Sequence, residues 1–229
     1  IGPQAAGIAT CADSLAAIKK LMFEDKSHTG KELLDALHDN WEGHEKLYAL
    51  VNSTKIPHYG NDIDEADELF KYMFECYCKN IAGRPTPRGG TFSPGVYTVN
   101  ANVGMGLFMN ASLDGRKAQE PISDNMGPVH TAAGSHDYSG PTAVVNSVTK
   151  VDHSKATNGT LLNLRFPEDS VAGVEGRNIL ISFIDEYMSK KGMHVQFNIM
   201  NSDKMRAAQI NPDQYKDMLV RVAGYSAYF

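Results

Sequence analysis

The stretch from Gly104 to Gly140 is dense in Gly, Pro, Asp, Asn and Ser. These residues bend the backbone or hydrogen-bond to it locally, so they interrupt helices and strands. An irregular segment this long is uncommon inside a compact domain, and usually marks a functional or partner-packed loop. The sequence before it reads as mainly helical, and the sequence after it as mixed.

In the first part, Leu15, Ile18 and Met22 recur at helical spacing. A second helix carries Leu33, Leu34, Leu37, Trp41 and Leu47, with His38 and His44 on its polar side. Those histidines lack the i, i+4 spacing of a metal pair and read as surface residues. Asp62 is the expected N-cap of a third helix, whose apolar face is Ile63, Ala66, Leu69, Phe70, Met73 and Tyr77. After a turn-rich break at 83–90, Val96 to Val103 alternates as a strand should, which would set Asn100 and Asn102 on one face.

Past the irregular segment comes the apolar stretch Val144–Val148, then a helix expected from about Asn178 to Lys190 and ended by Gly192. His194 to Ile199 alternates as a strand, Asn211-Pro212 starts a short helix, and Leu219–Val222 is an extended run. Helix and strand alternate, so the class is α/β. The expected division is 1–112 and 113–229.

Net charge is −5 with no Lys/Arg cluster, which argues against nucleic acid as a partner. Apolar runs fall far short of the roughly 20 residues of a membrane helix, and the residues ahead of the first helix do not read as a signal peptide, so none is expected. Cys11, Cys76 and Cys78 form no disulfide framework, and an odd count suits a reducing cytoplasm. Cys76 and Cys78 stand closer than zinc ligands usually do and read as ordinary helix cysteines. His130, His136 and His153 lie in polar loops without ligand spacing, so no metal site is assigned. Gly104-Met105-Gly106 is too short to be a phosphate-binding fingerprint. The chain starts Ile1-Gly2-Pro3 and stops at Phe229, and is expected to be a piece of something longer.

The sharpest signal is Val220-Arg221-Val222-Ala223-Gly224-Tyr225-Ser226-Ala227. It resembles the signature of the glycyl radical enzymes. Further blocks of that family occur in order: Asp114-Gly115-Arg116-Lys117-Ala118, Glu120-Pro121-Ile122-Ser123-Asp124, Ser139-Gly140-Pro141-Thr142-Ala143, Asn158-Gly159-Thr160-Leu161-Leu162-Asn163 and His194-Val195-Gln196-Phe197-Asn198. The chemistry accounts for the glycine. A Cα radical is stabilised by conjugation with the flanking amides, which needs a planar carbon, and a side chain would crowd that plane. Glycine has none.

The resemblance implies that Gly224 stores a radical on a buried hairpin tip, with Arg221 and Tyr225 flanking it. Gln196 and Asn198 would support the loop backbone, and Asn100 and Asn102 are candidate substrate contacts. It implies no bound cofactor. Instead an S-adenosylmethionine-dependent iron–sulfur activating enzyme would install the radical. The glycyl radical would then oxidise a cysteine to a thiyl, which takes hydrogen from a small-molecule substrate. None of the three cysteines matches the family's Gly-Cys-Val-Glu type of loop, so the thiyl cysteine is expected in the remainder of the parent chain, and this chain alone is expected to be inactive. The fold implied is the later part of a ten-stranded α/β barrel of the pyruvate formate-lyase type, in a cytoplasmic homodimer, with a bacterial microcompartment as a further location.

Ala223 and Asp114-Gly115-Arg116 look more like the dehydratase and lyase branch, which eliminates from small polar substrates. Pyruvate formate-lyase-type acyl transfer and arylacetate decarboxylation are the alternatives. So is a non-catalytic spare-part module that restores a damaged enzyme's glycine.

Overall fold

In the computed structural model the described residues are 1–216, 219–222 and 225–228, the last two ranges by backbone. The helical part begins with α1 (Ile8–Ile18), which continues as π-helix over Lys19–Glu24. Then come α2 (Gly30–His38), α3 (Glu45–Val51) and α4 (Asp64–Ile81). Four alanines of α1 (Ala9, Ala12, Ala16 and Ala17) are fully buried. Small side chains there let α4 pack closely against α1, bringing Phe70 and Phe74 into the core. Tyr59 stacks on Phe70 with ring centroids 3.8 Å apart.

Two expectations for this part need correction. The second helix is broken, because Asn40 and Trp41 both take positive φ between α2 and α3. Trp41 is still buried, and its indole N–H donates to the Arg116 carbonyl at 3.1 Å. Asp62 is no N-cap. It has φ 58°, and Ile63 occupies the cap position of α4. The Asp62 carboxylate instead accepts from Asn146 Nδ2 and pairs with Lys150.

The expected strand over 96–103 does not form. Gly95 and Val96 make single parallel bridges to Gln4 and Thr160. Val99 then turns to φ 60°, costly for a β-branched residue, and the chain enters α5 (Ala101–Gly106) with Asn100 as N-cap. Asn100 and Asn102 therefore do not share a strand face.

The irregular segment contains a small antiparallel pair, β1 (His130–Thr131) and β2 (Gly134–Ser135). It leads to α6 (Pro141–Val148), with Pro141 in its first turn. A parallel pair follows, β3 (Leu162–Pro167) and β4 (Val195–Met200), connected through α7 (Gly173–Ser189). The register sets Leu162, Leu164 and Phe166 beside Val195, Phe197 and Ile199 on the apolar face. Phe166, Phe183 and Phe197 meet there at centroid distances of about 6 Å. The helix α7 begins earlier than the sequence pattern suggests. It ends with Lys191 at φ 64°, so Lys191 rather than Gly192 supplies the left-handed turn. After α8 (Ser202–Ile210) and the one-turn helix Pro212–Gln214, β5 (Leu219–Val222) pairs antiparallel with β6 (Tyr225–Tyr228).

Candidate active site

The β5–β6 hairpin sets Arg221 opposite Ser226 and Val222 opposite Tyr225. Ala223 and Gly224, between the two strands, lie outside the described residues, as do the side chains of Arg221 and Tyr225. The hairpin forms because Leu219-Val220-Arg221-Val222 and Tyr225-Ser226-Ala227-Tyr228 are rich in β-branched and aromatic residues around a glycine.

β5 runs against β4. By the two-residue period, β4 turns Gln196 and Asn198 to the face opposite Phe197, in register with Asn163 and Arg165 of β3. Gln196 is buried and Asn198 half-buried. The sheet beside the hairpin is thus apolar on one face and amide-rich on the other.

That polar face opens on a cavity of about 680 Å³, lined among others by Asn102, Ser123, Asp124, His130, Asn163 and Arg165. A chain of hydrogen bonds runs along its wall. Asn163 Nδ2 and Asn125 Nδ2 donate to Asp124 Oδ2 at 2.9 and 3.2 Å. Asn125 Oδ1 accepts from the Thr98 amide at 2.6 Å. Thr98 Oγ1 donates to Asn102 Oδ1, whose Nδ2 donates to the Ile122 carbonyl. Asn102 therefore reaches the cavity, but through α5 and with both ends of its amide engaged. Asn100 does not line it.

The interior also holds buried titratable groups, of which sequence reading missed Asp13 and His58. Asp13 of α1 is fully buried, and its Oδ2 lies 3.2 Å from Nδ1 of both His58 and His136. Its Oδ1 accepts from the Tyr59 amide at 2.8 Å. Burial pushes the Asp13 carboxyl up, but the hydrogen bonds to His136 and His58 and their charges hold it below the ordinary carboxylate range. His136 is no surface-loop residue, and neither is His153, which is buried against Thr160 Oγ1 and the Val148 carbonyl. Burial lowers the His153 pKa. Asp114 is also buried, and burial raises its carboxyl, with Asp13 adding to the rise. Arg116 is fully buried and pins the loop around it. Its Nη1 donates to the Lys117 and Glu120 carbonyls, its Nη2 to that of Asn110, and its Nε to Ser112 Oγ.

Neither Cys11 nor Cys78 is an activated thiol. Burial pushes the Cys78 thiol up to about 11, and burial followed by Asp114 raises that of Cys11. Among the described residues, no helix is long and apolar enough to cross a membrane.

Comparison with known proteins matches this arrangement. The sequence model described as "Pyruvate formate lyase-like" matches residues 1–106, and that described as "Glycine radical" matches residues 123–229. The chain is 74% identical over 229 residues to (2S)-3-sulfopropanediol dehydratase of Klebsiella oxytoca, covering all of this chain and 28% of that one. It is 41% identical over 226 residues to trans-4-hydroxy-L-proline dehydratase of Clostridioides difficile, covering 99% of this chain and 28% of the other. The solved glycerol-bound B12-independent glycerol dehydratase of Clostridium butyricum superposes with a TM-score of 0.91 at 42% identity, over 99% of this chain and 28% of that structure. The chain thus spans less than a third of the length of these relatives. The expected pyruvate formate-lyase type of fold holds, and by its matched segments the chain belongs to the glycyl radical enzymes, as the C-terminal part of one.

Proposed function

We propose that this chain is the radical-bearing part of a glycyl radical dehydratase, with Gly224 as the stored radical. The observation that carries the reading is the 74% identity to a sulfopropanediol dehydratase, unbroken across all 229 residues and including the Gly224 block. The substrate class that follows is a small polyhydroxylated molecule, with a sulfonated propanediol first among candidates.

An activating enzyme of the S-adenosylmethionine and iron–sulfur type takes one hydrogen atom from the Gly224 Cα. The glycyl radical then takes the S–H hydrogen of a cysteine elsewhere in the parent protein, leaving a thiyl. The thiyl takes a C–H hydrogen from a hydroxyl-bearing carbon of the substrate, and the neighbouring carbon then loses its hydroxyl as water, which takes up the proton of the first carbon's hydroxyl and leaves a carbonyl-conjugated product radical. Returning the thiol hydrogen to the product radical restores the thiyl and then the glycyl.

In this reading, β5 and β6 present the glycine, and Arg221 and Tyr225 flank it. The amides of Gln196 and Asn198 satisfy loop backbone groups, since buried polar groups need partners. Asn102 faces substrate through the cavity, with Asn100 in support at the start of α5. The protein acts as a cytoplasmic homodimer.

Electron paramagnetic resonance of the anaerobically activated intact protein tests the assignment. A doublet is expected in the wild type and its loss in Gly224→Ala. A doublet that persists in Gly224→Ala defeats the assignment. Dehydration of (2S)-3-sulfopropanediol by the same preparation tests the substrate class.

A further inference from the structure

Asp13, His58 and His136 meet in the interior from three separate segments: α1, the turn ahead of α4, and the residue directly after β2. Asp13 is 0%, His58 1% and His136 4% exposed. Which nitrogens carry hydrogen follows from a fourth residue. Asn52 Nδ2 donates to the Tyr48 carbonyl at 2.8 Å, so the atom facing His136 Nε2 at 3.2 Å is Oδ1. The amide sits in the space that Gly115 leaves open, where a Cβ would lie 2.3 Å from Oδ1 and 2.4 Å from Nδ2. An amide oxygen can only accept, so His136 Nε2 must carry a hydrogen. On the other side of the ring, Nδ1 faces a carboxylate oxygen, also an acceptor. A histidine that donates from both nitrogens is an imidazolium.

His58 takes the opposite state. Its Nδ1 faces the same Asp13 oxygen, while its Nε2 is buried with no hydrogen-bond partner among the described residues. A hydrogen on Nε2 would add an orphaned buried donor and a second positive charge, so a neutral ring is favoured. The rings lie face to face with centroids 4.0 Å apart and a tilt of 38°. One cation then balances one carboxylate. Asp114 and the phenols of Tyr59 and Tyr138 feel the charge of Asp13, and His130 feels that of His136. Among the described residues, no Lys or Arg forms an ion pair with Asp13.

A metal ion is the rival explanation, since the three candidate ligand atoms lie within 4.8 Å of one another. The ring separation argues against it. Two imidazoles bound through Nδ1 to one tetrahedral ion at about 2.0–2.1 Å would hold their centroids about 5 Å apart. These rings are closer than that.

We infer that His136 is a buried imidazolium with Asp13 as its counter-ion, forming an electrostatic latch between α1 and the part of the chain matched as the glycine radical region. The latch is independent of the assignment made for Gly224. His136 carries other ties across the same junction, because its carbonyl accepts from Asn61 Nδ2 at 2.7 Å. The charge of one proton therefore contributes to the docking of the two parts, beside these other ties.

Two measurements on the intact protein test this. Nitrogen-15 solid-state NMR of histidine-labelled protein at neutral pH is expected to show both His136 nitrogens protonated, the signals being assigned by their loss in His136→Gln. A lone-pair nitrogen signal from His136 overturns the inference. Asp13→Asn is expected to lower Tm in the wild type and to lower it far less in the His136→Gln background. Equal losses in the two backgrounds also overturn it, and zinc recovered at one equivalent per chain would assign the cluster to the metal instead.

Discussion

A Cβ on residue 192 would lie 2.4 Å from Cζ of Tyr187, so the Tyr187 ring fills the space that Gly192 leaves empty. The ring is fully buried, its phenol reaches the His194 carbonyl, and burial pushes its pKa up to about 12. Together the two residues aim the chain from the end of α7 into β4. Gly192→Ala is therefore expected to cost about 1–3 kcal/mol through overpacking. Tyr187→Phe should lose only about 1 kcal/mol with its hydrogen bond. Urea denaturation of both variants checks the order.

Arg116 holds a loop together from inside. Truncating it would remove the guanidinium donor from the part-buried Asn110, Lys117 and Glu120 carbonyls and from Ser112 Oγ. With hydrogen bonds to a charged group at about 1.5–3 kcal/mol each, and water replacing some of them, Arg116→Ala should destabilise by about 3 kcal/mol. Arg116→Lys should recover little, because an ammonium cannot reproduce the planar fork. Thermal unfolding of the two variants decides this.

Acid and neutral pH should act on Asp114 and Asp13 with opposite signs. Burial first, opposed by Ser112 and aided by Asp13, raises the Asp114 carboxyl, so the native state holds this proton more tightly than the unfolded chain. Asp114 thus contributes stability below the unfolded value of about 3.9, and that stability is lost as pH rises through its raised native value. Asp114→Asn should gain relative to wild type over that window. Asp13 is net lowered, so its contribution is present above about 3.9 and is lost as pH falls through the native value. Asp13→Asn should flatten the acid limb. Stability–pH curves of the two variants, compared with wild type, check both signs.

Lys150 pairs with Asp62, Asp64 and the buried Asp67. Its removal leaves the Asp67 carboxylate uncompensated, and burial already raises that group. Lys150→Met should cost about 3 kcal/mol. Lys150→Met combined with Asp67→Asn should recover much of the loss, which a double-mutant cycle would read out.

Replacing Cys11, Cys76 and Cys78 together by serine should leave radical formation and turnover of the intact protein in place. None lies in a thiyl-type loop, and the raised thiols of Cys11 and Cys78 mark them as packing residues. Product assays under anoxia test this.

Much of the architecture was legible because it is written locally. The apolar face of α4, the alternation of β4 and the extended run before Gly224 each arise from a few consecutive residues, where periodicity carries the information. Element ends were less so. Asp62 has the right chemistry for a cap, yet Lys150 and Asn146, more than 80 positions away, draw its carboxylate elsewhere.

The sequence by itself singled out Gly224 as the proposed radical position, because that proposal depends on a missing side chain and a short motif around it. Only the tertiary structure decided that Val99 would break the expected strand, and that Asp13 would gather His58 and His136 from 45 and 123 positions away. Covalent neighbours set local geometry. The charge state and burial of a side chain depend on what the rest of the chain packs against it, and no spacing in the sequence encodes that.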